Sequence, residues 1–225
     1  NGRSHFIPSK LKRCYHYCDA TYTRFLVTKN RLVSLLFVGY IKLLYFHSKI
    51  KTPSNGINCV GLPVIKLHPV SSLSIAENVT IVSRKYSNPL GINKRSIIKT
   101  LGKNAAIIIM KNTGMSGVTI CCANRITIGR NVIIGANSTI IDTDFHDYYE
   151  ISKREYSSEI SKQNFVPNAP VIIEDNVKIG MNVTILKGVK IGRNTIVAAN
   201  SVVVRNVPSD VIIGGNPAKV LKVIK

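Results

Sequence analysis

VIIEDNVKIGMNVTILKGVKIGRNTIVAANSVVVRNV, residues 171–207, repeats one pattern every six residues, and ITIGRNVIIGANSTII, residues 126–141, carries the same pattern upstream. An aliphatic residue recurs in every hexad, at Ile128, Ile134, Ile140, Ile173, Ile179, Ile185, Ile191, Val197 and Val203. Two positions before each stands a small or β-branched residue: Ile126, Val132, Ser138, Val171, Val177, Val183, Val189, Thr195 and Ser201. A period of six does not fit the 3.6-residue period of an amphipathic helix.

The hexads predict short strands joined by corners. In an extended segment, positions two apart share a face, so both columns are expected to point inward. Gly and Asn follow each aliphatic residue in many hexads, and both tolerate the left-handed backbone that a corner needs. Strand and corner in alternation wind into a coil whose successive turns stack through parallel ladders about 4.8 Å apart. Because each turn covers its apolar columns only against its neighbours, stability accumulates along the stack.

Breaks in the phase predict where the coil is interrupted. Ile140 and Ile173 are 33 residues apart, which is not a multiple of six, so a loop is expected at about 142–170. The four residues that begin at Leu101 resemble the four that begin at Ile128 with an offset of 27, which predicts a small excursion near 112–117. Residues 74–81 (SIAENVTI) are interpreted as an earlier turn of the coil.

The two ends of the chain differ from the hexads. Residues 30–50 are apolar and predict a helix, although Ser34 and Lys42 divide the run into stretches shorter than the ~20 residues that cross a bilayer. This helix could cap the open end of the coil, or lie on an anionic membrane surface with its flanking basic residues. At the other end, Asn216-Pro217-Ala218 fits a helix N-cap followed by Pro, which predicts a short C-terminal helix through Lys225. We therefore divide the chain into an N-terminal helical, basic segment (1–70) and a repeat domain (71–225).

Composition excludes several classes of protein. Hydrophobic residues make up 45% of the 225 residues and charged residues 19%, unlike a disordered chain. The net charge of +20 favours anionic partners without choosing among them. Five Cys without framework spacing argue against a disulfide-stapled secreted domain, and the absence of a cleavable signal favours the cytoplasm. Cys14 and Cys18 have no second Cys or His pair at zinc-site spacing, so no metal is expected.

The hexads, the DTDFH segment at 142–146, the loop after it and the ending GGNPAKVLKVIK resemble the hexapeptide-repeat acetyltransferases. The resemblance covers about residues 70–225. Within the family, the sequence is similar to the maltose, galactoside and surface-polysaccharide O-acetyltransferases. It implies a left-handed parallel β-helix with three hexads per turn, assembled as a homotrimer. It further implies acetyl-CoA as co-substrate and, as acceptor, a hydroxyl of a capsular or other surface polysaccharide or its precursor. The expected location is the cytoplasm, at the inner face of the membrane if residues 30–50 contact lipid.

The resemblance assigns the general base to His146. A neutral imidazole suits the removal of a hydroxyl proton near pH 7, and acetyl transfer from a thioester needs no enzyme nucleophile. Asp144 would share a face with His146 in an extended segment, where it could orient the ring or stabilise its charged form.

The resemblance also predicts residues that bind the two substrates. It places acetyl-CoA along a groove between neighbouring subunits, at Gly180, Met181, Ala199, Arg205, Lys219 and Lys222. Basic side chains there would meet the nucleotide phosphates. Acceptor contacts are expected from Asp142 and Ser116, although Gly117 stands where the maltose and galactoside branch has an Asn.

Other functions remain as alternatives. Within the family, the acceptor could be the amine of an amino sugar; outside it, the chain could be a non-catalytic β-helical interaction protein. A carbonic anhydrase on this coil needs three His ligands, and of the five His only His146 lies in the clear repeats. No nucleic-acid partner is expected, because the sequence shows no basic-aromatic interleaving or helix-turn-helix pattern.

Overall fold

The computed structural model describes residues 34–36, 39–40, 49–52, 57–146 and 166–224. Residues 34–36 and 39–40 are helical, and the rest of the described chain is built from short strands. The strands are β1 (Lys49–Lys51), β2 (Ile57–Val60), β3 (Val64–Lys66), β4 (Ser72–Ile75), β5 (Val79–Val82), β6 (Ile97–Thr100), β7 (Ala106–Ile109), β8 (Gly114–Ser116), β9 (Thr119–Cys122), β10 (Arg125–Ile128), β11 (Ile133–Ile134), β12 (Thr139–Ile141), β13 (Val171–Ile173), β14 (Lys178–Ile179), β15 (Thr184–Ile185), β16 (Lys190–Ile191), β17 (Ile196–Val197), β18 (Val202–Val203), β19 (Val211–Gly215) and β20 (Ala218–Val223).

These strands form three parallel sheets that wrap a common core, in the repeating pattern of a left-handed β-helix. Face A has the order β1-β4-β7-β10-β13-β16, face B β2-β5-β8-β11-β14-β17-β19-β20, and face C β3-β6-β9-β12-β15-β18. One turn of the coil takes one strand from each face, so β1–β3 form the first turn and β16–β18 the sixth. The first turn begins at Lys49, so the parallel ladder extends further toward the N-terminus than the repeat domain expected from residue 71.

Both inward columns of the hexads are confirmed. All nine aliphatic positions and all nine positions two residues earlier are 0–3% exposed. The registers align the columns between turns: Ile128 lies opposite Ile173, Ile134 opposite Ile179, and Ile140 opposite Ile185. Burial of these side chains between stacked turns supplies the main stabilisation, because no turn has a core of its own.

Asparagines at left-handed backbone positions form a hydrogen-bonded ladder along one corner. The corner between faces A and B (the A/B corner) carries Asn78, Asn112, Asn131, Asn176, Asn194 and Asp210, all with φ between 56° and 62°. Each Asn side chain donates from Nδ2 to the oxygen of the next, at 2.7–3.3 Å. The asparagine that adopts the left-handed conformation at this corner therefore also hydrogen-bonds through its side chain to the next turn.

The C-terminal helix predicted from Asn216-Pro217-Ala218 is wrong. β19 extends face B, with Ile212 opposite Ile196, and β20 returns antiparallel along β19. Gly215, with φ of 103°, lies where the chain reverses. The β-branched residues after it favour a strand, and pairing with an existing sheet edge outweighs a local capping pattern.

The excursion predicted near residues 112–117 is also wrong, because Gly114–Ser116 form β8 within face B. The four residues from Leu101 follow a face C strand, whereas those from Ile128 begin with the last residue of a face A strand, so the two are not equivalent. The true upstream interruption joins β5 to β6 over residues 83–96, and the repeat pattern gave no signal for it. The main inserted loop lies between β12, which ends at Ile141, and β13, which begins at Val171.

The described part of the predicted N-terminal helix lies against the first turn. The hydroxyl of Ser34 accepts a hydrogen bond from the backbone N–H of Cys59, and both residues are buried. Burial raises the pKa of the Cys59 thiol to about 11. This contact agrees with a cap on the coil, while most of residues 30–50 and the Cys14 and Cys18 pair lie outside the described residues. Within the described ranges, no helix has the length and apolar character needed to cross a bilayer.

The Asn ladder predicts a specific loss of stability. Asn131→Ala removes hydrogen bonds to Asn112 and Asn176 and places an alanine at a φ of 56°. We expect a loss of about 1–2 kcal/mol in the free energy of unfolding, and a smaller loss for Asn131→Gly, which tolerates that φ. Urea unfolding measures both. Asn58→Ala, on the exposed side of a strand, is the control; equal effects at 58 and 131 would contradict the ladder.

Candidate active site

The inserted loop leaves the coil at the corner between faces C and A (the C/A corner), through two short segments, 142–146 and 166–169. The N–H of Asp144 donates to the carbonyl of Pro167 at 3.1 Å, and the N–H of Ala169 donates to that of Asp142 at 2.9 Å. Thr143 and Asn168 form an antiparallel bridge between them. Two pinned segments hold the loop mouth on the fourth and fifth turns. Residues 147–165 lie outside the described residues.

Asp142 anchors this mouth from inside the protein. Its side chain is fully buried, and its carboxylate accepts hydrogen bonds from the N–H groups of Ala123 at 2.6 Å and Asn124 at 2.8 Å. The Cys122 thiol donates to the same carboxylate at 3.3 Å. Burial and the neighbouring Asp142 carboxylate raise the pKa of that thiol well above its usual range. Asp142 therefore joins the loop mouth to the corner one turn below.

The chain turns sharply between Asp144 and His146. Phe145 has a φ of 64°, so the extended segment on which a shared face for Asp144 and His146 was predicted does not form. The Asp144 carboxylate instead lies 2.8 Å from the Lys187 ammonium, with both side chains about 30% exposed. His146 is exposed at the mouth. An accessible imidazole therefore lies two residues along the chain from a carboxylate that is already paired with a cation.

Sequence reasoning did not identify Lys187. It lies in the hexad VTILKG, at the corner that follows β15, one turn beyond β12. Its position opposite the loop mouth depends on how the turns stack, which spacing within one hexad does not reveal. In the sequence, this hexad has Leu-Lys-Gly where its neighbours have Gly-Met-Asn and Gly-Arg-Asn. That difference alone does not indicate a functional role for the lysine.

Two of the predicted CoA-binding positions come together on the corner between faces B and C (the B/C corner). Met181 is half-buried in the fifth turn and Ala199 is exposed in the sixth, and the carbonyl of Met181 accepts the N–H of Asn200 at 2.9 Å. Gly180 serves the stacking itself: a Cβ added there would meet the Ala199 nitrogen at 2.5 Å. Its N–H and C=O are both bonded within the chain, to Val197 and Ser138.

Ser116 lies on the same B/C corner, in the third turn. It is half-buried at the end of β8, and its carbonyl accepts the N–H of Asn137 at 3.1 Å. Gly117, next to it, has a φ of 58°, and a Cβ there would come within 3.0 Å of Ile92. The glycine is thus required by conformation and by close packing.

The predicted basic residues are divided between two places. Arg205 is exposed on the C/A corner, one turn beyond Lys187. Lys219 and Lys222 are exposed on β20. The hairpin that carries these lysines runs beside the B/C corner, where the N–H of Gly215 donates to the Ser201 hydroxyl at 3.2 Å.

The predicted site residues therefore form two groups within the chain. The C/A corner carries Asp144, His146 and Arg205, together with Lys187, which was not predicted. The B/C corner carries Ser116, Met181 and Ala199 with the hairpin beside it. Face C separates the two groups. Among the residues that the structure describes, no three His, Cys, Asp or Glu side chains are grouped in a way that could hold a metal ion.

Comparison with family models finds hexapeptide repeats in the chain. Residues 170–205 match the model of the bacterial transferase hexapeptide (six repeats), and residues 125–141 match the hexapeptide repeat of succinyl-transferase. These segments are the ones that form the regular turns on either side of the inserted loop. The repeat type predicted from the sequence is confirmed.

Relatives with established names match over a short segment. The chain is 58% identical over 53 residues to 2,3,4,5-tetrahydropyridine-2,6-dicarboxylate N-acetyltransferase of Clostridium perfringens, which covers 24% of this chain and 22% of the relative. The enzyme of the same name from Staphylococcus aureus (strain JH9) is 52% identical over 54 residues, covering 24% and 23%. The match thus spans less than a quarter of the length of these relatives.

Among solved structures, the chain is similar to a variant of AntD, an N-acyltransferase from Bacillus cereus, in complex with dTDP-4-amino-4,6-dideoxyglucose and coenzyme A. The TM-score is 0.58 with 20% identity, over 83% of this chain and 89% of that one. At this identity the likeness concerns the fold.

Asp142→Asn tests the internal anchor. The amide turns an NH₂ group toward one of the two backbone donors, so we expect a loss of about 1–3 kcal/mol in the free energy of unfolding. Asp144→Asn is the matched control: its half-exposed pair with Lys187 should change stability by less than about 1 kcal/mol. Thermal and urea unfolding measure both. Unchanged stability of Asp142→Asn would show that the anchor is not needed.

Proposed function

We propose that this protein transfers an acetyl group from acetyl-CoA to a sugar hydroxyl of a surface polysaccharide or its precursor, with His146 as general base. The single observation that carries the proposal is the position of His146. Its imidazole is exposed at the mouth of a loop inserted between two turns, on a coil whose flanking hexads match transferase repeats.

The proposed reaction requires the protein to carry out one main step, which is the transfer of a proton. Bound acetyl-CoA supplies the acetyl group as a thioester. The acceptor oxygen forms the new C–O bond as the C–S bond breaks, and the hydroxyl proton must leave. His146 accepts that proton at a ring nitrogen and then donates it to the departing thiolate. An imidazole is suited to both directions because it titrates near neutral pH.

The neighbouring groups hold the base in place. The pair of Asp144 with Lys187 connects the loop mouth to the next turn of the coil, two residues before His146. In this proposal both are positioning residues. Asp142 acts further inside through its backbone donors. It has no acceptor contact in the proposal, because its side chain is buried and already bonded.

The B/C corner fits the proposed place for CoA. Ala199 has only a methyl group and is exposed, so the corner is open beside Met181. Lys219 and Lys222 on the adjacent hairpin, and Arg205 on the other corner, are exposed cations that suit phosphate groups. Gly180 takes part through packing, since its backbone groups are bonded within the chain.

We further propose that the active site is shared in a homotrimer. His146 and the proposed CoA corner lie on different corners of one protomer, with face C between them. In a closed ring of three, the C/A corner of one protomer can face the B/C corner of the next, which completes the site. Ser116 would then be available to the acceptor from the neighbouring protomer.

Transfer to an amine is the second candidate. Two relatives that match at 58% and 52% identity are N-acetyltransferases, although they match only about a quarter of this chain. An amine that arrives protonated also needs a base, so His146 would keep its role. Assays of CoA thiol release with matched hydroxyl and amino sugars separate the two acceptor classes.

His146→Asn tests the general base. We expect acetyl transfer to fall by roughly 10²- to 10⁴-fold, as for the loss of a general base, with the fold and the oligomer unchanged. His68→Asn, which replaces another histidine on the C/A corner, is the matched control and should leave turnover unchanged. Steady-state thiol release measures both variants. Turnover of His146→Asn equal to that of the control would remove the proposed base.

Complementation tests the shared site. His146→Asn lacks the base and Ala199→Tyr fills the CoA corner, so each homotrimer should be inactive. In trimers reassembled from an equal mixture, about one quarter of the interfaces combine an intact histidine with an intact corner, so activity should return to about one quarter of wild type. Activity no greater than the sum of the parents would place both groups in one protomer.

A further inference from the structure

An ordered loop of basic and apolar residues projects from the N-terminal end of the coil. Residues 84–95 (RKYSNPLGINKR), here called the basic finger, join β5 to β6 on the B/C corner in the second turn. They contain four Lys or Arg and no Asp or Glu. The proposed catalytic chemistry makes no use of this loop.

The basic finger is firmly built at its root. The carbonyl of Val60 accepts the N–H groups of Ser83 and Arg84, and the N–H of Asn93 donates to the Asn137 side chain at 2.9 Å. Ile92 is 2% exposed, and its N–H donates across the loop to the carbonyl of Lys85 at 3.2 Å. These hydrogen bonds and the buried Ile92 side chain therefore give the loop a defined shape.

Its tip is apolar and points away from the protein. Tyr86 is 84% exposed and Leu90 is 67% exposed. Around them stand the exposed Arg84 and Lys85, with the Lys85 ammonium 5.4 Å from the Tyr86 ring centre. Lys94, at the base of the loop, is half-buried. Two large apolar side chains in water are unfavourable unless they meet a partner.

We propose that the basic finger docks this protein on an anionic membrane surface. A convex tip does not suit a small anion, which favours a concave site. An acidic polymer would attract the cations but would gain nothing from the aliphatic side chain of Leu90. A bilayer interface favours both parts, because the apolar tip enters the boundary of the acyl chains while the cations meet the headgroups.

Other residues at the same end support this orientation. Ser34 bonds to Cys59 in β2, and β2 ends at Val60, the residue that holds the root of the finger. In the same helical stretch Leu35 is 45% exposed and Leu36 is 67% exposed. Exposed apolar side chains are thus also present in the helical stretch that contacts the first turn. Residues 52–125 carry nine basic residues against one acidic residue.

The absence of tryptophan from the chain makes a direct test possible. Tyr86→Trp introduces a single indole at the tip. On vesicles of phosphatidylcholine mixed with phosphatidylglycerol, we expect its emission to shift to the blue and to be quenched by brominated acyl chains. Val70→Trp, at an exposed position of the C/A corner at the same end, should show neither effect. No shift and no quenching at position 86 would overturn the proposal.

Co-sedimentation with the same vesicles separates the apolar contribution to binding from the electrostatic one. Tyr86→Ser with Leu90→Ser should lower the partition coefficient by about tenfold or more. Lys85→Gln with Lys94→Gln should lower it roughly thirtyfold at low salt, with a smaller effect as salt screens the charges. Val70→Ser with Lys103→Gln is the control and should bind as wild type does.

Two results would show that the finger binds a different partner, and either would overturn the proposal. Loss of heparin binding in the charge variant but not in the tip variant, without vesicle binding by the wild type, would show an acidic polymer. A change in oligomeric mass of the tip variant in sedimentation would show that a second copy covers the tip. None of these readouts requires acetyl transfer, so failure of the proposed reaction and failure of membrane docking are distinguishable.

Discussion

The whole structure depends on stacking turns that have no core of their own. Each six-residue unit buries two side chains only because the next turn lies on top of them, and left-handed residues recur at the A/B corner of successive turns. The Asn ladder satisfies the corner conformation and the lateral hydrogen bonds with the same side chain. Side chains at equivalent positions of successive turns are consequently aligned, and this alignment is what brings residues distant in sequence onto one corner.

In the proposed function, the role of each residue depends on the corner that it occupies. The inserted loop interrupts the C/A corner without disturbing the stack, because Asp142 and the paired segments 142–146 and 166–169 close its mouth. Beside that mouth lie an exposed imidazole and an ion pair. The open corner proposed for CoA lies on the other side of face C. Because face C lies between the two corners, we propose that a site that uses both of them is assembled between protomers.

The repeat was readable in the sequence because every aliphatic residue of the hexads is buried for the same reason. The C-terminal segment was not, since Asn216-Pro217 has a local helical signature and only the existing sheet edge favours a strand. The roles of Asp142 and Lys187 were equally hidden. Their partners lie in other turns, and the offset between turns is altered by irregular corners. Residues 84–95 carry no repeat, so the periodicity gives no prediction for this loop.

The crystal structure of the protein with bound CoA tests the central claim most directly. Our account predicts a trimer in which the CoA thiol lies between Ala199 of one protomer and His146 of its neighbour, close enough to the imidazole for proton transfer to a bound acceptor. A thiol that approaches the histidine of the protomer whose corner binds the nucleotide, or a histidine turned away from the thiol in every protomer, would contradict it.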